Sequence, residues 1–169
     1  MIVKDSGIFF VEIYVGMAKI VSWWHQFALG FKLKGTREFK GLFGNQITYW
    51  LQNGNANILL TAALDPSAHD IVSFVDSHGN SIKRFAVEVE DIHDTLNFLK
   101  NKNAILLYNG IECITEKNEK AELIRCKLFD DNEIVFIKRT NCSSILPGFQ
   151  ITNDIDLNNG ILGIDHLAS

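Results

Sequence analysis

Five histidines, His25, His69, His78, His93 and His166, are the first candidates for metal or acid–base chemistry. No two of them form HxH, HExxH or a pair four residues apart, so the chain carries no self-contained metal motif. His25 falls off the main apolar stripe of its expected helix and reads as a partly exposed packing group. His78 falls in a last helical turn, where a cation suits the dipole. His69 and His93 fall in first turns and read as surface groups, as His166 does when taken alone. Cys113, Cys126 and Cys142 are odd in number and form no CxxC, which argues against a disulfide framework and a structural zinc. They read as reduced thiols, Cys126 in a core strand and Cys142 in a loop, of a cytoplasmic protein. No GxSxG, P-loop or GxGxxG occurs. Asp130-Asp131 reads as a turn among scattered carboxylates. The rings of Trp23, Trp24, Phe27 and Phe31 could line an aromatic-ligand pocket, but core packing is the weightier reading. Tyr49-Trp50 on a strand should place one ring in and one out.

The elements that must position these groups follow from periodicity. Phe9 to Val15 is a β-branched and aromatic run, hence a strand. In AKIVSWWHQFALG, Ile20, Val21, Trp24, Phe27 and Ala28 share one helical face, and Gly30 is the expected stop. FKLKGT, QITYWLQ and NILLTAA follow as strands split by Gly and Asn. Asp65 and Pro66 suit the start of a bridging helix, with Ala68, Ile71, Val72 and Val75 inward and Gly79 at its end. The order then repeats, about 75 residues on: strand FAVEVE, a helix capped by Asp91 with Ile92, Leu96 and Leu99 inward, then AILLYN, IECITE, AELIRCKLF and EIVFIKR. EKNEK is a solvated hairpin tip.

The chain has 169 residues, 47 % of them apolar and 21 % charged, with a net charge of −4. That size suits one large domain or one domain of two lobes. The mild acidity argues against nucleic acid as a partner, and the apolar N-terminal run is too short and too charged to span a membrane. The expected organisation is a β-α-β-β-β module with bridging helix over 1–80, a second module over 81–140, an extended linker over 141–160, and a strand over 161–169. The strand GILGIDHL stops with nothing after it to complete a module, so it is either a tail that adds to a sheet edge or, the favoured expectation, the start of a module in a chain cut within a longer protein.

This duplicated order resembles the vicinal-oxygen-chelate (glyoxalase/bleomycin-resistance) fold: α+β, with mixed, mostly antiparallel sheets and helices outside. The runs FFVEIYVGMAKIVSWWHQFALGFKLKGTRE, LLTAAL, SHGNSIKRFAVEV, LPGF at 146–149 and GIDH at 163–166 resemble the N-terminal half of the 4-hydroxyphenylpyruvate dioxygenase and 4-hydroxymandelate synthase family. The resemblance implies an Fe(II)-dependent oxygenase of 4-hydroxyphenylpyruvate and dioxygen, part of tyrosine catabolism, with iron held by two histidines and a glutamate. The first of these maps onto His166, with Asp165 a neighbour that could orient it; the others would lie beyond Ser169. It also implies that residues 1–140 form a scaffold, because the ligand positions of metal-binding relatives fall on Phe10, Phe85 and, in the last strand, Val135. Phe10, GTRE and IDHLAS resemble the mandelate-forming branch more, while the product is set in the other half. The chain alone should bind no cofactor and turn nothing over. Its expected partners are its own catalytic half and a second copy, as a dimer. A competing expectation is a stand-alone binding module holding an aromatic ligand with Trp50, Tyr49 and Phe85. A third, an intact glyoxalase-like metalloenzyme, is disfavoured by Phe10, Phe85 and Val135.

Overall fold

A computed structural model describes residues 3–4, 7–41, 44–152 and 161–167. The elements run β1 (Phe10–Tyr14), α1 (Ala18–Leu29), β2 (Lys32–Phe39), β3 (Gln46–Asn53), β4 (Ala56–Ala63) and α2 (His69–His78). They continue β5 (Ser81–Glu88), α3 (Ile92–Asn101), β6 (Glu112–Glu116), β7 (Glu119–Lys127), β8 (Glu133–Thr140) and β9 (Gln150–Ile151). One curled sheet holds all the strands in the order β6-β7-β8-β5-β1-β4-β3-β2-β9. Its two halves mirror each other. β1 lies parallel to β4 and β5 parallel to β8, while β1 and β5 meet antiparallel at the centre. This is the duplicated β-α-β-β-β order expected from the sequence, closed into a single sheet.

Local chemistry explains most boundaries. Gly30 ends α1 in the left-handed region at φ 69°. The Asp91 carboxylate accepts from the Asp94 amide at 2.8 Å and caps α3, and Ile92, Thr95 and Leu99 are its buried residues, with Leu96 partly buried beside them. The bridging helix starts later than its sequence suggests. Asp65 spends its carboxylate on Ser67 and Asn45 in a turn, so Ala68 becomes the N-cap without a side-chain bond. Ile71 and Phe74 are the buried residues of α2, and Val72 is exposed.

The structure departs from the sequence reading at four places. α1 packs through Ala18, Val21, Ser22 and His25, spaced at i, i+3, i+4 and i+7, and not through the stripe that contains its rings. Trp24 and Phe27 are exposed, and Trp23 stacks on Phe27 at 5.3 Å outside the core. Apolar residues surround this helix, so two stripes fit its sequence, and the smaller side chains allow the closer approach to the sheet. AILLYN forms no strand. Leu106 makes one bridge to Cys126, after which the chain turns away and β6 takes the edge of β7. Residues 141–152, within the expected extended linker, lie against the body of the fold. Ile145 and Leu146 are buried in the core, and β9 pairs with β2. The described part of the last segment, 161–167, forms no strand, because β9 already occupies the edge offered by Gly35 and Thr36. Ile161 and Ile164 pack instead, partly buried, against the core cluster of the helix-covered face. Residues 153–160 and 168–169 of the expected linker and strand lie outside the described residues.

Candidate functional site

Side chains alternate across a strand, so one set from β1 to β8 faces the hollow of the curled sheet. There they enclose a cleft of about 900 Å³. Apolar groups form part of its wall: Phe10, Leu59, Val135, Leu146 and Phe149. Leu146 and Phe149 come from the LPGF segment, and Phe149 meets Trp50 edge-on at 6.0 Å. Trp50 itself is buried and spends its indole N–H on Asn57 Oδ1 at 3.0 Å.

The floor is charged. Arg84 on β5 pairs across to Glu12 on β1 and to Glu133 on β8, its Nε standing 3.3 Å from a carboxylate oxygen of each. Its Nη2 donates to the Tyr14 hydroxyl at 2.6 Å. Lys83 adds a second cation 3.3 Å from Glu133. Thr61 donates to Glu12 at 2.6 Å and meets Thr48 at 2.9 Å. Further along, Arg125 pairs with Glu112 at 3.2 Å. Burial alone would disfavour the Arg84 charge, but Glu12, Tyr14 and Glu133 outweigh it and hold the guanidinium firmly protonated. Burial pushes the Tyr14 phenol far above its ordinary value, so it stays a neutral acceptor to Arg84. Burial likewise raises Glu112 against the pull of Arg125.

Arg37 on β2 is the cation of this wall that differs. It is partly buried, and among the described residues no hydrogen bond or ion pair ends on its guanidinium. Burial draws its pKa down, opposed by the more distant Glu12 and Glu116. The backbone of Gly148 lies over it, so close that a Cβ there would stand 3.4 Å from Arg37 Nε. Gly148 also has φ +89°, a conformation that a side chain would strain.

The residues singled out from sequence divide sharply. Phe10 and Val135 do face the cleft. Phe85 does not: it pairs with Val11, while its neighbours Arg84 and Ala86 sit opposite Glu12 and Phe10. Tyr49 packs on the helix-covered face with Leu51 and Leu60. Trp50, Tyr49 and Phe85 therefore do not converge on one ligand, and the aromatic module in that form is overturned. His25 turns its Nδ1 to the Val21 carbonyl at 2.8 Å. His78 pairs with Asp131 at 3.0 Å. His166 stands exposed outside the cleft, its Nδ1 3.0 Å from Asp165. Among the described residues no three His, Cys, Asp or Glu side chains gather to hold a metal. Glu12, Arg84, Glu133 and Arg37 were missed, because they are far apart in sequence and each alone resembles a surface charge.

No family model matches this chain. It is 25 % identical over 147 residues to 4-hydroxyphenylpyruvate dioxygenase of Caenorhabditis elegans, a match over 83 % of this chain. The chain spans little more than a third of that relative's length, 36 %. Its structure superposes on a substituted form of 4-hydroxymandelate synthase from Streptomyces coelicolor with TM-score 0.71 and 19 % identity, over 96 % of this chain and 45 % of that one. A hypothetical protein from Bacillus halodurans C-125 matches with TM-score 0.67 and 17 % identity, over 81 % of this chain and 96 % of that one. Methylmalonyl-CoA epimerase from Mycobacterium tuberculosis matches with TM-score 0.59 and 22 % identity, over 81 % and 91 %. No helix of the described residues is long and apolar enough to cross a membrane. The curled sheet with its paired β-α-β-β-β units is the vicinal-oxygen-chelate fold, in a domain similar to part of that dioxygenase and of that synthase.

Proposed function

We propose that this chain is the N-terminal, non-metal-binding half of an Fe(II)-dependent dioxygenase that acts on 4-hydroxyphenylpyruvate, forming homogentisate or 4-hydroxymandelate. The observation that carries this reading is the match of nearly the whole chain to less than half of the hydroxymandelate synthase structure. The sequence similarity to the dioxygenase runs the same way, 83 % of this chain against 36 % of the relative. Phe10 and Val135 add support, since apolar side chains cannot ligate iron where they line the cleft. On this reading residues 1–80 and 81–140 are paired scaffold modules, 141–160 joins them to the other half, and 161–169 begins it.

His166 is then one iron ligand and the other two come from the second half. The donors of the present chain do not fit a complete iron site. Among the described residues the donors at His166 amount to one exposed imidazole beside one carboxylate, so no chemical step is assigned to them. The chain's own work is structural. Ile161 and Ile164 seat the last segment on the core cluster that α1 also covers, and the outer face of α1 carries exposed Ile20, Trp23, Trp24 and Phe27. That apolar face is where the catalytic half or a second copy would pack.

The reading frame beyond the Ser169 codon tests the proposal. Two more β-α-β-β-β units with one His and one Glu at ligand positions are expected, and a stop codon there would overturn it. On the isolated chain, titration with Fe(II), substrate and dioxygen should give neither stoichiometric tight iron nor oxygen uptake.

A further inference from the structure

We propose that Asn109 is a site of spontaneous covalent modification, where the chain converts its own asparagine to aspartate and isoaspartate and so places a carboxylate beside Tyr108 of the cleft wall. The inference uses only the Asn109-Gly110 pair and its surroundings, and it does not depend on the role proposed above.

The chemistry needs a side-chain amide, a following residue without a Cβ, and freedom for the two to meet. The backbone nitrogen of Gly110, once deprotonated, attacks Asn109 Cγ. The new N–C bond closes a five-membered succinimide, the Cγ–Nδ2 bond breaks, and Nδ2 leaves as ammonia. Water then opens the ring at either carbonyl, giving aspartate or isoaspartate. One water is consumed and one ammonia released, with no change of oxidation state. Glycine favours the attack because no Cβ obstructs the closing ring and its backbone reaches angles closed to other residues.

The sequence has Asn-Gly pairs at 53–54, 109–110 and 159–160, the last of them outside the described residues. The fold treats the other two in opposite ways. Asn53 is only 3 % exposed at the end of β3, and its Nδ2 donates to the Leu29 carbonyl at 3.2 Å and the Gly30 carbonyl at 3.3 Å. Gly54 is set in the turn between β3 and β4 at φ 54°. Asn109 is exposed, in a stretch between α3 and β6 that joins no helix or strand. Among the described residues neither its side chain nor the Gly110 amide makes a hydrogen bond, and a Cβ added at Gly110 would meet nothing within 4 Å. Here the two reacting groups are free to meet. The neighbouring Tyr108 lines the cleft, with the Arg125 guanidinium 5.3 Å from its ring centroid and Arg125 paired to Glu112 at 3.2 Å. Either product adds a negative charge there, and isoaspartate also adds one backbone carbon between Tyr108 and β6.

The test ages the full 169-residue chain at pH 8, in buffer and in denaturing urea, and maps its tryptic peptides by mass spectrometry; trypsin puts each Asn-Gly pair in a different peptide. In buffer Asn109 should convert roughly tenfold or more faster than Asn53, whose two hydrogen bonds and turn must open first. In urea the two rates should converge, because the fold no longer protects Asn53. G110A should slow Asn109 several-fold and leave Asn53 unchanged. The product should contain isoaspartate, read by methyl transfer from S-adenosylmethionine with an isoaspartate methyltransferase. The Arg125 Nε–Hε signal should move in the aged chain and in N109D. Equal rates in buffer, a rate ratio that persists in urea, or aspartate as the sole product would each overturn the site, and an Arg125 signal that stays still in both chains would overturn its reach into the cleft. If G110A does not fold, the two rates of the unaltered chain, in buffer and in urea, decide alone.

Discussion

Replacing Arg84 by Met removes the cation that ties β5 to β1 through Glu12 and to β8 through Glu133. Arg84 Nε stands 3.3 Å from both Glu12 and Glu133, and its side chain is only 10 % exposed. At that distance and an effective dielectric near 20, each pair is worth about 5 kcal/mol of Coulomb attraction before the cost of desolvation. The net loss on breaking a buried pair is smaller, about 3–5 kcal/mol, because most of it is the penalty of stranding the partner. Here two carboxylates are stranded, but Lys83 still sits 3.3 Å from Glu133 and Thr61 still donates to Glu12. R84M should therefore fall at the lower end, about 3 kcal/mol, a large fraction of the roughly 10 kcal/mol expected for a domain this size. Urea unfolding measures it, with an unchanged slope as the condition for reading the midpoint shift as stability. Because Glu12 is the carboxylate left without a cation, the double variant R84M/E12Q should be more stable than R84M. Two results would refute the reasoning: a cost below about 1 kcal/mol for R84M, or a double variant whose loss equals the sum of the single losses.

Two further predictions concern the periphery. The Asp91 carboxylate is held below its ordinary value chiefly by the Asp94 amide, so its stabilisation is present in full above the ordinary aspartate value of 3.8 and is lost as pH falls through the depressed one. D91A should lower the melting temperature at pH 7, and the gap to the unaltered chain should close in strong acid; a gap of constant size from pH 7 to pH 2 would contradict the cap. Cys113 is exposed, whereas Cys126 is buried and burial raises its thiol, so a disulfide exchange reagent at pH 8 should label Cys113 rapidly and Cys126 only on unfolding. Mass spectrometry of the labelled peptides reads the order, and early labelling of Cys126 would show that β7 opens locally.

Much of the architecture was legible because it is written in local periodicity. The strands β1 to β5, β7 and β8, the α3 cap at Asp91 and the α1 stop at Gly30 each depend on neighbours within a few residues. The LPGF segment stood out in the sequence, but its work did not: only the fold shows Phe149 against Trp50 and Gly148 against Arg37. α1 was misread because Trp24, Phe27 and Ile20 define one apolar stripe and Ala18, Val21 and Ser22 another, and periodicity cannot choose between them.

By itself the sequence determined most of the strands and helices, and their duplicated order, since those choices are made by residues adjacent in the chain. It left open which side chains meet. That Glu12, Arg84 and Glu133 share one buried cluster follows from β1 lying against β5 and β5 against β8 in a particular register. One residue of slip would have turned Phe85 into the cleft and Arg84 away from it. Register is a property of pairings between distant strands, so the charged floor, and the unpaired Arg37 above it, came into being only with the closed sheet.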